Sequence, residues 1–443
     1  MKKAIERSQV FGCLIMLAVS LIPAFNAGFD NWWVPGFAMV LGAAAVWDGH
    51  RSNTPVALGS PFVWFLLFLL WGAIGLVWSV SPVRTVIEVI QLSLYGLVLY
   101  ICAGLDGEWK IKAGKIAVLA GSALALIGIF EYVFIESARI KSTFPNQNAF
   151  GIYLAMLFLV AWGYALRQRK KAPWICSVVL LIALILSGSR GALIAGFLGL
   201  VFIHTGMEKR RLGRAVLKTA ACVLLSIGLA FAVVHTAPVV QGAAGGANDS
   251  LMRVHTLSNS VQGRLEFWRV AGDLALSRPL TGYGLGAYAA AYPTQYGGNQ
   301  WFSRYAHNHY LQILSEMGIV GFALFAIFIV LGMVILFRRL GETSRPSWLP
   351  GAAGALIAFL IHIGIDFSWN FPGGAILFFA LLGASIGRER VGTALGLPLD
   401  YRLRLAGFAL IILLAAGQIS SEYVGAKGLN AAAVHDYELS NQY

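Results

Sequence analysis

HYLQILSEMGIVGFALFAIFIVLGMVILF, residues His309–Phe337, is the apolar run that decides the fold class of this chain. A helix rises about 1.5 Å per residue, so about 20 apolar residues cross the hydrocarbon core of a bilayer. This run exceeds that length, and it carries a single carboxylate, Glu316, near its start. It therefore predicts a helix that spans a membrane.

Apolar runs of similar character fill most of the sequence. Hydrophobic residues make up 58% of the chain, charged residues 12%, and the mean hydropathy is +0.73, outside the usual range of soluble proteins. Helices satisfy their own backbone hydrogen bonds in lipid. We therefore predict an all-α polytopic membrane protein with about 12 to 13 transmembrane helices. The further candidate spans are Val10–Ala27, Trp32–Trp47, Pro61–Val80, Thr85–Gly104, Gly114–Ile135, Ala149–Leu166, Trp174–Leu186, Ala192–His204, Ala215–His235, Leu349–Ile365, Ala375–Gly387 and Leu403–Ile419.

These runs divide the chain into five parts. We predict N-terminal transmembrane helices over 1–148, central ones over 149–235, an outer loop over 236–308, C-terminal ones over 309–419 and a polar tail over 420–443. The first span resembles a signal peptide, but Asn26-Ala27-Gly28 is a poor cleavage site, so we interpret it as a retained anchor. All four cysteines fall within apolar spans, which predicts neither disulfides nor a zinc site.

The net charge of +13 has a topological explanation. With the N-terminus in the cytoplasm, most of the 33 Lys and Arg residues fall in cytoplasmic loops, as the positive-inside rule requires. Nucleic acid is therefore not an expected partner. The same topology places three segments on the outer side: Arg139–Asn148, Ser187–Gly191 and Thr236–His307.

The long outer segment is rich in arginine, against that rule. The positive-inside rule therefore does not explain these arginines, and we expect the chemistry of the protein to lie in this segment. They are Arg253, Arg264, Arg269, Arg278 and Arg304. The segment starts with a Gly/Ala-rich stretch, Gln241–Asp249, which we interpret as a flexible lead-in.

The turn Ser187–Gly191 (SGSRG) is a candidate anion site. It separates either two short helices or the halves of one interrupted element. A helix starting after the glycine turn presents free N–H groups to a phosphate or pyrophosphate, and Arg190 adds a cation. The alternative is a snorkelling arginine in a helical hairpin. A nucleotide-binding P-loop is excluded because Gly-Lys-Thr is missing.

A second candidate anion ligand, Arg264, opens the run Gly263–Arg269, which continues as an amphipathic helix on the membrane surface over Val270–Ser277. Its guanidinium could hold an anionic headgroup, or it could anchor to ordinary phospholipid. Arg269 is a weaker candidate because Glu266 can pair with it. Arg278 starts a glycine-rich turn, Arg278–Gly286, that is better explained as structure.

His307 is the candidate general base, since a neutral imidazole is the commonest base near neutral pH. Asn308 is a suitable helix N-cap, which leaves His307 outside the helix and exposed. A metal site or a structural hydrogen bond is the alternative for His307, and His309 is a lesser candidate base. Glu316, inside the helix, is expected to face a cavity or a partner.

His362 and Asp366, four residues apart, are expected to form a local pair, with a proton relay as the alternative.

These motifs resemble the O-antigen ligase and polymerase superfamily. The resemblance rests on Arg278–Gly286 (RPLTGYGLG), Ala306–Gln312 (AHNHYLQ), Glu316–Gly321 (EMGIVG) and the arginine-bearing turn Ser187–Gly191. It implies a GT-C-type membrane glycosyltransferase whose large periplasmic loop contains short helices. It further implies that Arg190 and Arg264 hold the pyrophosphate of an undecaprenyl-linked glycan and that His307 activates the acceptor hydroxyl, with no metal and no cofactor.

The resemblance therefore implies a ligase that transfers a preassembled glycan from undecaprenyl pyrophosphate to lipid A-core, with inversion, at the periplasmic face of the bacterial inner membrane. A polymerase that extends a growing lipid-linked glycan and a protein O-oligosaccharyltransferase use the same donor chemistry and stay open as alternatives. A non-enzymatic polytopic transporter is less favoured, because the sequence has no inverted repeat and few intramembrane charges.

Overall fold

The computed structural model describes residues 12–18, 20, 22–24, 56–57, 60–135, 139–167, 170–236, 248–295, 302–387 and 398–399. Apart from a two-residue antiparallel pairing of Val56–Ala57 with Pro398–Leu399, the regular elements in these ranges are helical. The helices are α1 (Gly12–Ala24), α2 (Ser60–Ile74), α3 (Pro82–Gly104), α4 (Gly107–Phe134), α5 (Gln147–Arg167), α6 (Lys171–Leu186), α7 (Arg190–Thr205), α8 (Lys209–Thr236), α9 (Asn248–Ser277), α10 (Tyr288–Ala291), α11 (His309–Leu340), α12 (Leu349–His362) and α13 (Pro372–Ile386).

The all-α membrane fold is confirmed. Five described helices are long and apolar enough to cross a bilayer, namely α3, α4, α5, α8 and α11, and six shorter apolar helices fall on other predicted spans. The predicted spans Trp32–Trp47 and Leu403–Ile419, the lead-in up to residue 247 and the tail 420–443 lie outside the described residues. The turn Ser187–Gly191 separates two helices, α6 and α7, as the first of the two alternatives predicted.

Helix α5 forms the centre of the bundle. Nearly its whole length is buried, and α6, α7 and α12 pack around it. Helix α12 approaches very closely, since a Cβ atom on Gly163 would lie 2.8 Å from the Gly351 Cα. Small residues of this kind permit the backbone-to-backbone contact that drives helix association in lipid. A second group of large aromatic side chains, including Phe65, Tyr95 and Phe379, fills the space between α2, α3, α11 and α13.

Helix α11 is interrupted inside the bundle at Gly318, whose φ of 63° and ψ of −171° are not helical. The backbone groups freed by the break pair with the outer loop. Tyr283 and Gly284 donate their N–H groups to the carbonyls of Ser315 (3.1 Å) and Glu316 (2.8 Å), and Ile319 donates to Pro279 (2.8 Å). This pairing fastens the glycine-rich turn to α11.

The outer loop has a small hydrophobic core of its own. Phe267, Val270, Ala271 and Leu274 of α9 pack against Tyr283, Ala287, Tyr288 and Tyr292. Helix α9 runs from Asn248 to Ser277 and so is longer than the short helices predicted, because no proline interrupts residues 248–277. This core sets α9 beside the start of α11.

Candidate active site

Contacts at the His307 end of the bundle converge on one buried carboxylate, Asp366, in the turn after α12. Asn148 donates its Nδ2 to Asp366 Oδ2 at 3.0 Å, and a guanidinium nitrogen of Arg264 lies 4.0 Å from the same oxygen. The other carboxylate oxygen accepts hydrogen bonds from Ser368 Oγ and the Phe367 N–H, both at 2.9 Å. Helix α9, the start of α5 and the turn after α12 therefore meet at this side chain.

His362 belongs to the same network, but it is not a helical partner of Asp366. Helix α12 ends at His362, and Ser368 Oγ connects the two side chains, at 3.3 Å from His362 Nδ1. The imidazole lies against the SGSRG turn, since a Cβ atom on Gly191 would be 3.4 Å from its Cδ2. The turn, with Arg190, therefore lies beside the Asp366 network.

Arg190 is the exposed first residue of α7. The preceding residue, Ser189, occupies the N-cap position, yet its side chain makes no capping hydrogen bond. A helix N-terminus of this kind carries a partial positive charge and suits a phosphate group. The charge of Arg190 therefore adds to the partial positive charge of the α7 N-terminus.

His307 is held between aromatic rings. Phe267 stacks on its imidazole, with ring centroids 5.4 Å apart, and Phe367 meets it edge-on at 4.5 Å. Burial lowers the pKa of His307 to about 4, against the opposing effect of the Asp366 carboxylate, while Arg264 lowers it further. The imidazole is therefore neutral at pH 7 and able to accept a proton.

The expected exposure of His307 needs correction, because the side chain is partly buried and its Nδ1 has no hydrogen-bond partner in the described part of the chain. The loop core that carries Phe267 covers it. That core depends on contacts between distant parts of the loop, which a local sequence pattern does not reveal.

Part of the chain is similar to known proteins. Residues 175–326 match the family model described as O-antigen ligase. Over this segment the chain is similar to O-antigen ligases. Two similar proteins, each named "Putative polysaccharide ligase", come from Rickettsia bellii and Rickettsia felis. The first is 24% identical over 315 residues, which cover 67% of this chain and 72% of the relative, and the second is 24% identical over 307 residues, which cover 63% and 71%.

The chain is therefore a multi-pass membrane protein that is similar to polysaccharide ligases. The matched segment contains Arg190, Arg264 and His307 but ends before Asp366.

The other predicted site residues lie away from Asp366 or have structural partners. Arg269 pairs with Glu266 and Asp273, both at 2.6 Å, and the hydrogen-bonded Glu266 carboxylate raises the pKa of Arg269. Arg278 lies 4.4 Å from the centre of the Tyr283 ring. His309 is buried in the aromatic core and stacks on Trp369 at 4.8 Å.

Asn308 and Glu316 shape the backbone. Asn308 is the N-cap of α11, as predicted, and its Oδ1 accepts the N–H groups of Tyr310 and Leu311. Glu316 faces partners rather than a cavity, because its carboxylate accepts the N–H of Gly286 at 2.8 Å and that of Tyr288 at 3.2 Å.

The sequence did not reveal that Asp366 joins the site to Arg264 and Asn148. A buried carboxylate at the end of an apolar run was the available signal, since such residues usually mark functional sites in membrane proteins. Among the described residues, no three His, Cys, Asp or Glu side chains form a group that could hold a metal ion.

Proposed function

We propose that this protein is a periplasmic glycan ligase of the bacterial inner membrane. It transfers a preassembled glycan from undecaprenyl pyrophosphate to lipid A-core, without a metal and with inversion at the anomeric carbon. The observation that carries the proposal is the meeting of Arg264, the His307 ring and the Arg190 turn around Asp366.

The arginines have the task of binding the donor. Arg190 at the helix N-terminus and Arg264 on α9 supply cations for the two phosphates of the donor. Asp366 holds the guanidinium of Arg264 in place. Charges fixed in advance in this way stabilise the negative charge that grows on the pyrophosphate as it leaves.

His307 acts on the acceptor. Its Nε2 takes the proton of the acceptor hydroxyl, and the hydroxyl oxygen attacks the anomeric carbon of the donor sugar. The new glycosidic bond forms as the bond from that carbon to the pyrophosphate oxygen breaks, and undecaprenyl pyrophosphate departs with the electron pair. A single displacement of this kind inverts the configuration.

Purified protein tests this function directly. In the presence of EDTA and without nucleotide, the wild type is expected to move glycan from undecaprenyl pyrophosphate to lipid A-core. His307→Ala should lower kcat by about 10²- to 10⁴-fold, the usual contribution of a general base. Arg190→Ala and Arg264→Ala should each lower it by about 10²-fold or more, as for loss of a charge-stabilising donor.

Two variants serve as controls for this assay. Arg278→Ala removes an outer arginine that lies on a tyrosine ring, and His235→Ala removes an exposed histidine bonded to its own helix. Both should keep activity.

Full activity of all three test variants would contradict the proposal, as would activity that EDTA abolishes and a divalent ion restores. Lengthened lipid-linked chains would indicate a polymerase, and glycosylated protein an oligosaccharyltransferase.

A further inference from the structure

The charge at the proposed diphosphate site is not balanced by Arg190 and Arg264 alone. The donor carries a negative charge on each phosphate, and undecaprenyl pyrophosphate gains another as the glycosidic bond breaks. Arg264 shares its charge with Asp366, 4.0 Å away. Arg269 is neutralised by Glu266 and Asp273, and Arg278 lies on the Tyr283 ring. A further cation close to Arg190 would complete the balance.

Arg139 lies at the required place. Its side chain rests on the SGSRG turn, with Cδ and Nε each 3.4 Å from the position that a Cβ atom would take on Gly188. The backbone of the next residue joins the same turn, because the Ile140 N–H donates to the Leu186 carbonyl at 3.4 Å. Arg139 is also exposed, so its guanidinium is open to a ligand on the side of the turn that carries Arg190.

The turn itself permits this approach. Gly188 has a φ of 63°, a conformation that favours glycine, and it presents no side chain to Arg139. The aliphatic part of the arginine therefore packs directly on the backbone of the turn. The two arginines are brought to opposite sides of the three residues between Leu186 and Arg190.

We propose that Arg139 is a third arginine of the diphosphate site, and that it binds the donor pyrophosphate together with Arg190 across the SGSRG turn. This inference rests on the proposed function. Arg139 lies outside the segment that matches the ligase family, residues 175–326. It belongs to a predicted outer segment, where the positive-inside rule gives no reason for an arginine.

The identity of the cation matters for this role. A guanidinium offers two parallel N–H groups to a phosphate, whereas an ammonium is a point charge. Arg139→Lys is therefore expected to retain part of the function, and Arg139→Gln to lose it. Lys141, an exposed cation two residues further along, provides the matched control, Lys141→Gln.

The test measures kinetics with the purified full chain, undecaprenyl-pyrophosphate-linked glycan and lipid A-core. Arg139→Gln should lower kcat/KM for the donor about tenfold or more, the usual effect of losing one charge-assisted hydrogen bond. The KM for lipid A-core should stay unchanged, and inhibition by inorganic pyrophosphate should weaken. Lys141→Gln should match the wild type in all three measurements, and equal thermal midpoints would show that the variants fold.

Three results would overturn the inference. The first is unchanged donor kinetics and pyrophosphate inhibition in Arg139→Gln while Arg190→Ala is impaired, which leaves the proposed function intact. The second is an equal loss in Lys141→Gln, which would indicate a general surface field. The third is a lower thermal midpoint with a loss that affects donor and acceptor alike. Failure of the ligase function itself would show differently, as full activity of the His307, Arg190 and Arg264 variants.

Discussion

His307 has a left-handed backbone, with a φ of 53°, which residues other than glycine rarely adopt. Such a conformation costs about 1–3 kcal/mol, and surrounding contacts must hold it. Here the His307 carbonyl accepts a hydrogen bond from Trp268 Nε1 at 3.2 Å, while Phe267 and Phe367 hold the ring. The strain therefore falls on the residue to which we assign proton transfer.

The lowered pKa of His307 predicts an unusual pH profile. Because burial keeps the free imidazole neutral down to about pH 4, kcat/KM should stay level from pH 8 to about 5.5 and decline only near the lowered pKa. The acidic decline of kcat should lie at a higher pH than that of kcat/KM, since bound pyrophosphate stabilises the imidazolium and so raises the pKa of His307. Steady-state rates over this range, measured with the donor varied, test the prediction.

His307→Ala is the control for this profile, because its residual activity should lack the acidic decline. An acidic decline of kcat/KM centred at pH 6.5 or above would contradict the assignment. The lowered pKa of His307 also affects the free energy of unfolding. Between pH 6.5 and about 4 the unfolded chain binds more protons at this residue than the folded chain does. Stability should therefore fall as the pH falls through that range.

At the scale of elements, the interruption of α11 couples the membrane domain to the outer loop. An unpaired backbone group in lipid costs several kcal/mol, so a break inside a spanning helix requires partners. The glycine-rich turn supplies them, and Trp71 Nε1 donates to the Met317 carbonyl at 2.9 Å. The turn Arg278–Gly286 thus has the structural role that its sequence favoured.

Gly318→Ala should destabilise the protein by about 1–3 kcal/mol or more, because its φ and ψ are accessible essentially only to glycine. The added methyl group would also lie 2.7 Å from the Thr281 nitrogen. We expect a clearly lower unfolding midpoint in detergent. Gly332→Ala is the matched control in the same helix, since its methyl group would meet a flexible Leu382 side chain at 3.3 Å.

Equal midpoints for the two alanine variants would show that the break is not needed. The sequence did not predict it, because Met317-Gly318-Ile319 is as apolar as the rest of the run and a single glycine is common in membrane helices. Its pairing with Pro279–Gly284 is a long-range contact, and no local pattern encodes that contact.

At the scale of the whole molecule, the spans were predictable because apolar length is a local property. The cap at Asn308 and the pairing of Arg269 with Glu266 were predictable for the same reason, since each involves neighbours on one helix. The link between Asp366 and Arg264 was not, because α9 and α12 are far apart in sequence and meet only after the bundle forms. The position of His309 in the aromatic core likewise depends on Trp369 from another element.

The predicted topology can be tested with single cysteines in a variant lacking the four native ones, all of which are free thiols. Leu276→Cys lies on α9 and Thr343→Cys follows α11, and both positions are exposed. A membrane-impermeant thiol reagent added to cells with a permeabilised outer membrane should label the first and spare the second. A permeant reagent should label both, and the reverse pattern would place the site in the cytoplasm.

The backbone pairing at Gly318 has a consequence for how substrates arrive. Residues 279–284 are part of the same hydrogen-bonded framework as α11, and the adjoining residues add bonds to α3, where Thr85 Oγ1 donates to the Leu285 carbonyl at 2.7 Å. These bonds are expected to keep this part of the loop fixed relative to α11. Under the proposed function, turnover therefore does not depend on opening of this turn, and the lipid-linked donor has to reach His307 without moving it.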